Sequence, residues 1–352
     1  MQKNRLRFEY TVIHFRARYS DMRKTGQLIL SAASAAALLS MIGCAGSPHE
    51  PSEKYILVAD NSKIAYWQTA VHGLYRATSE MKVHGELQGP DGHDPQGEHD
   101  AFRRAVAEKP SGILVSVSDV GLLAPDINAA IDQNIPVITI DSDAPDSKRI
   151  FFVGTDNFNA GMIGGKLVSK LLDGKGNVVI YTIPNQTNLK DRLSGYQAAF
   201  ADHTEVKVMQ VVDMNGNSDI AFDSAKKLLD AKAKVDAFIC LEALACPAVA
   251  DVVNRAGMNG KVKIVAMDTD PGTIEWINKG VISATIAQKP WTMAYYGTKL
   301  LDDIHHHPAK PLSGNWAQNV YSPYPTFVDT GTLVVTKENV GTLSQQPPSS
   351  GQ

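Results

Sequence analysis

The 352-residue sequence is poor in cysteine, with three, and has no surplus of positive charge: 34 Lys and Arg stand against 37 Asp and Glu. None of the cysteines forms a C-x-x-C pair, so no zinc or iron–sulfur framework can be read. A chain without a basic excess has no electrostatic footprint for nucleic acid, and no nucleic-acid partner is expected. There is no G-x-x-x-x-G-K-S/T phosphate cradle, and Gly174-Lys175-Gly176 reads instead as a turn between a helix and a strand. The G-x-S-x-G elbow and the H-E-x-x-H helix are also missing. His305, His306 and His307 are adjacent, so their side chains spread around a helix end instead of converging on one metal. Neither a metal nor a cofactor is expected.

What is present begins with a leader. Arg23-Lys24 precedes an apolar Ala/Leu/Ser-rich run, Leu28 to Ile42, that ends at Gly43-Cys44. A basic segment, an apolar segment and a small residue before a cysteine have the layout of a secretory signal peptide. The run is too short to span a bilayer comfortably. Met41-Ile42-Gly43-Cys44 resembles a bacterial lipoprotein box, which implies lipidation of Cys44 and an exported, membrane-anchored protein in the periplasm or at the cell surface. Residues 1–43 are therefore read as signal peptide, with Met22 the natural start, and 44–53 as a polar linker. The leading 43 residues hold seven of the basic and two of the acidic side chains, leaving 27 basic and 35 acidic residues, a net charge of −8. Removing 43 of 352 residues leaves 309, more than one hydrophobic core usually supports, so two lobes are expected. Cys240 and Cys246 either form a disulfide in an oxidising compartment or stay unpaired as small buried residues, and the reading leans to unpaired.

From Lys54 onward short apolar runs alternate with helix-periodic segments. Strands are expected at 55–59, 112–117, 136–140, 150–153, 177–182, 206–212, 235–240, 262–267 and 282–287. Helices are expected near 66–81, 97–108, 121–133, 157–172, 191–202, 218–230, 247–256, 272–279 and 290–306. Such alternation argues parallel sheets with helices on both faces. It runs twice, once before about residue 155 and once after. The expected division is 54–155 plus 289–320 for one lobe and 156–288 plus 321–340 for the other, with a short strand at 332–336. A tail over 341–352 is expected to be disordered by composition. The Gly89–Asp100 stretch, rich in Asp, His and Gly, reads as a loop that caps the next helix.

The most informative phrase runs from Asn134 to Lys166. An apolar run ending at Ile140 is followed at once by Asp141, Asp143 and Asp146, and a second, Ile150 to Val153, leads into Gly154-Thr155-Asp156-Asn157. Continuous apolar runs bounded by turn signals suit strands buried on both faces. Carboxylates just past the carboxyl end of such a strand stand where open α/β sheets bind ligands. Being acceptors only, they suit a ligand rich in hydroxyl donors. The alternative is that these acids cap helices or solvate loops.

N-I-P-V-I-T-I-D-S-D-A-P, the later V-G-T-D-N-x-x-A-G-x-x-x-G, and A-T-I-A-Q-K-P at 284–290 together resemble periplasmic sugar-binding proteins of the ribose-binding type over roughly residues 54–337. The resemblance implies an α/β fold of two Rossmann-like lobes with parallel sheets joined by a three-strand hinge, periplasmic binding protein type I. It also implies a monomeric solute-binding protein that hands a sugar or polyol to the membrane permease of an ABC importer. The family's contacts fall on Asp60 and the aromatic pair Tyr66 and Trp67, whose rings would stack on the sugar. Ser116 and Asp119 follow the third strand. Asp141 matches the principal hydroxyl acceptor, with Ser142 where the family has arginine and Asp143 next. Arg192 matches the second-lobe arginine, Asp268 a second carboxylate, and Gln288 the glutamine at a crossover. Glu242 stands where an amide is usual, and Asn215 lies near another contact loop. A non-enzymatic importer component is the leading expectation. A sugar sensor docking to a chemoreceptor or sensor kinase is the alternative, and a hydrolase acting through Asp141 and Asp143 ranks last.

Overall fold

The apolar runs become the inner strands of two sheets. The computed structural model describes residues 49–344, so the expected signal peptide, Met22, Cys44 and the tail beyond 344 lie outside the described residues. The first lobe alternates β1 (Lys54–Val58), α1 (Ala65–Met81), β2 (His84–Gln88), α2 (Pro95–Ala107), β3 (Gly112–Val115), α3 (Val120–Asp132), β4 (Val137–Ile140) and β5 (Phe152–Gly154). The second runs α4 (Asn157–Leu171), β6 (Lys175–Thr182), α5 (Thr187–Ala201), β7 (Glu205–Asp213), α6 (Ser218–Asp230), β8 (Ala237–Cys240), α7 (Ala245–Arg255), β9 (Lys263–Met267), α8 (Pro271–Asn278) and β10 (Ala284–Ala287). The chain then returns: α9 (Pro290–His306) packs its Met293, Leu301 and Ile304 into the first core, and β11 (Phe327–Asp329) and β12 (Leu333–Val335) close one sheet each.

Strand orders are β2-β1-β3-β4-β5-β11 and β7-β6-β8-β9-β10-β12, the same winding used twice. Pairings are parallel except that of β10 with β12. Parallel strands covered on both faces must be apolar throughout, and β1, β3, β4 and β8 accordingly bury their side chains on both faces. Helix starts follow their local signals. Asp94, Asp119, Asp156 and Asn217 cap α2, α3, α4 and α6 through their side chains, and Pro95, Pro271 and Pro290 occupy first turns.

Several expectations need correction. β2 has no counterpart in the sequence reading because HGELQ is a half-exposed edge strand without an apolar run. β11 pairs with β5, so residues 321–329 go with the first sheet and the last crossover falls near 330 instead of 320. Residues 341–344 are not tail: with Val340, which is buried, they form a 3-10 turn. Cys240 and Cys246 form a disulfide, with Cα atoms 5.7 Å apart. The turn from β8 into α7 brings the two positions within disulfide reach, which linear spacing could not reveal.

Candidate ligand-binding site

Parallel winding sends the carboxyl ends of the strands in both lobes towards one gap, and the loops there line a cavity with about 80 Å³ of water-accessible space that is partly open to solvent. Two acids dominate it. Asp141 follows β4 and Asp268 follows β9, equivalent places in the two windings, and both adopt left-handed backbone, φ 63° and 66°. Each N–H crosses to the neighbouring strand, Asp141 to the Val153 carbonyl at 3.1 Å and Asp268 to the Ile286 carbonyl at 2.9 Å. Aspartate tolerates this conformation better than most residues, yet it still costs roughly 1 kcal/mol or more and concentrates at functional sites.

The Asp141 carboxylate accepts the Tyr66 hydroxyl at 2.7 Å and the Asn188 amide at 3.2 Å. Asn188 belongs to the second lobe, so this contact bridges the cleft. Burial raises the Asp141 pKa, opposed by the Tyr66 hydrogen bond and the Arg192 charge. Asp268 is only 6 % exposed, and burial pushes its pKa up to about 7 against the nearby Arg192 charge. Its Oδ1 accepts from the Gln288 amide at 3.0 Å, while its Oδ2 receives no hydrogen bond among the described residues. Glu242 is also raised to about 7 by burial, although its two oxygens accept the N–H groups of Leu244 and Ala245 at 2.7 and 2.8 Å.

Arg192, 1 % exposed, is the one Lys or Arg in the cavity wall. Its guanidinium donates to the Leu241 carbonyl, to Asn157 Oδ1 at 2.6 Å and to Gln288 Oε1 at 3.2 Å, while its buried Nε has no partner. An unsatisfied buried donor is costly. Glycine places this arginine: a Cβ on Gly161 would lie 2.1 Å from the Arg192 carbonyl oxygen, and one on Gly195 would lie 2.1 Å from that of Phe158. Only bare glycines let α4 and α5 approach so closely.

Asp60, Tyr66, Trp67, Ser116, Asp141, Arg192, Glu242, Asp268 and Gln288 all line the cavity. Tyr66 meets Trp67 edge-on at 5.1 Å, and its hydroxyl serves to orient Asp141. Three expected residues are not brought there. Asp119 is exposed and caps α3 through the Leu122 N–H. Asp143 is held by the Arg149 guanidinium and by Thr139 Oγ1 at 2.5 Å. Asn215 is exposed, and its neighbour Gly216 lines the wall instead. The sequence reading missed His93 and Asn188. His93, in the loop read only as a helix cap, pairs with Asp60 and packs against Gly216 of the other lobe. Contact with Asp60 raises its pKa.

A family model described as "Periplasmic binding protein domain" matches residues 55–306. A sugar ABC transporter sugar-binding protein from Bacillus halodurans is similar in structure, with TM-score 0.74 and 34 % identity over 82 % of this chain and 99 % of that one. The arabinose-binding protein AraP from Geobacillus stearothermophilus gives 0.70 and 31 % over 83 % and 99 %. The D-allose-binding periplasmic protein of Escherichia coli (strain K12) is 24 % identical over 261 residues, 71 % of this chain and 84 % of that protein.

Proposed function

Because the chain belongs to the periplasmic binding protein family and has the type I fold of its sugar-binding members, we propose that it captures a neutral sugar or polyol between its lobes and delivers it to the permease of an ABC importer. The observation that carries this reading is the pair Asp141 and Asp268, one acid from each lobe in the wall of one cavity, with the Arg192 charge acting on both. Carboxylates accept from hydroxyls, the guanidinium donates to ring or hydroxyl oxygens, and Trp67 offers an aromatic plane to the C–H face of a ring. Hydrogen bonds to charged groups contribute about 1.5–3 kcal/mol each, enough for a few to hold a small polar ligand. A phosphorylated or carboxylated solute would meet four acids against one guanidinium and be repelled.

Capture works through closure. A ligand touching both lobes stabilises the closed form over the open one, in which half its partners are lost. The Asn188–Asp141 hydrogen bond and the His93–Gly216 contact are the cross-lobe contacts that such closure would make. No bond need be broken. The relatives are named as binding proteins, and Asp143, the second acid a hydrolase would use, is tied to Arg149.

Calorimetry against pentoses, hexoses, polyols and sugar phosphates tests the reading. Micromolar or tighter binding of a neutral sugar is expected, and binding of sugar phosphates alone would refute it. Anchoring through lipidated Cys44 belongs to the same proposal, and Cys44→Ala is expected to move the protein from the membrane to the soluble fraction. A protein that binds sugar but pulls down a sensor kinase in place of a permease would turn the reading towards sensing.

A further inference from the structure

Beside the sugar cavity lies a second one with about 240 Å³ of water-accessible space, walled by Trp291, Asp270, Lys289 and Thr69 together with Tyr66, Asp268 and Gln288, which also wall the first. The second chamber adjoins the first at Tyr66, Asp268 and Gln288 and brings an aromatic face and polar groups of its own, so the cleft offers contacts beyond those one ring would use. We infer that the cleft takes a two-ring sugar, with the inner ring between Asp141, Arg192 and Asp268 and the outer ring in the chamber walled by Trp291, Asp270 and Lys289. The inference rests on the sugar-binding reading and extends it to the length of the ligand.

Three observations carry it. Asp268 lies in both walls, is more than nine-tenths buried, and has only its Oδ1 engaged, by Gln288. Its second oxygen can accept from a hydroxyl on either side of a glycosidic link. Trp291 provides a rigid aromatic platform. Tyr295 stacks on it at 4.9 Å and 12°, and a Cβ on Gly73 would come within 2.1 Å of the Trp291 carbonyl oxygen, so α1 and α9 grip its backbone. An indole held in this way complements the C–H face of a pyranose with little loss of side-chain freedom.

Asp270 supplies the third. It occupies the N-cap position of α8 yet makes no capping hydrogen bond, whereas Asp94, Asp119 and Asp156 at the same position of their helices do. Among the described residues no other residue donates to its carboxylate, which instead walls the outer chamber. An acid withheld from its helix, with Lys289 in the wall of the same chamber, offers an acceptor and a donor to the hydroxyls of a second ring. Thr69 and Thr269 add small polar groups at the rim.

The test is calorimetry on the full-length mature protein with xylose and xylobiose, glucose with maltose and cellobiose, and galactose with lactose and melibiose. One disaccharide is expected to bind about tenfold or more tightly than its own monosaccharides. Trp291→Ala and, as a milder variant, Asp270→Asn should each remove most of that gain while leaving monosaccharide affinity within about twofold, which also serves as the folding control. Arg192→Ala should weaken both lengths. If a monosaccharide binds and no disaccharide binds more tightly, the two-ring inference is overturned and the sugar-binding reading stands. If neither length binds, the sugar-binding reading fails and this inference fails with it.

Discussion

The most discriminating prediction concerns acid. Asp268 carries a pKa of about 7 in the ligand-free protein because burial penalises its charge more than Arg192 compensates. A hydroxylated ligand needs the carboxylate, so binding selects the deprotonated form, and the apparent Kd is multiplied by 1 + 10^(pKa − pH). With the titration near 7, affinity at pH 8 is nearly full, while at pH 6 it is about tenfold weaker, or ~1.4 kcal/mol. Asp141, also raised by burial, steepens the fall at lower pH. Stability of the ligand-free protein moves the other way. Folded Asp268 keeps its proton up to about 7, whereas an unfolded aspartate loses it near ~4, so the folded state binds more protons and its stability falls as pH rises through that window. Calorimetric Kd and urea unfolding from pH 5 to 8 would read both slopes. In Asp268→Asn the affinity profile should become shallower between pH 6 and 8, the remaining slope belonging to Glu242, which is also raised to about 7. A flat wild-type profile, or an unchanged slope in Asp268→Asn, would refute the reasoning.

Other outcomes follow from the packing. Gly161→Ala puts a methyl 2.1 Å from the Arg192 carbonyl oxygen, so α5 must move. A loss of roughly 1–3 kcal/mol in urea unfolding, together with weaker ligand binding, is expected. Arg192→Ala leaves the Leu241 carbonyl, Asn157 and Gln288 without their donor. It should weaken binding at least tenfold in calorimetry and cost about 3 kcal/mol or more of stability, as loss of a buried charged partner does. Replacing Cys240 and Cys246 by serine, or reducing them, should lower stability by about 2 kcal/mol, the loop-closure value for so short a loop. Unfolding curves indistinguishable with and without reductant would show that the staple contributes nothing.

Much of this architecture was readable because the physics is local. Ile113 to Val115 is apolar without interruption and Val137 to Ile140 is broken only by the buried Thr139, a pattern that strands covered on both faces need. Asp141, the acid that ends the second of these strands, stood out for the same reason, while Asp268 was reached through the family resemblance. What escaped had no local signature. β2 is polar and half-exposed, β11 is three residues long, and His93 lies in a loop whose composition reads equally well as a helix cap. Asp143 has the same chemistry as Asp141 two residues earlier. Arg149, six residues on, claims it, and nothing in the spacing says which of the two acids faces the gap.

The sequence by itself therefore determined the doubly repeated α/β winding and the strand ends that carry acids, because periodicity and residue chemistry act within a few neighbours, while Arg192 was reached through the family resemblance. Tertiary structure alone decided which acids meet, that Tyr66 aims Asp141, that Cys240 joins Cys246, and that Asn188 and His93 cross the cleft. Those choices depend on side-chain direction and on distances between segments far apart in the chain, which exist only once both lobes have packed.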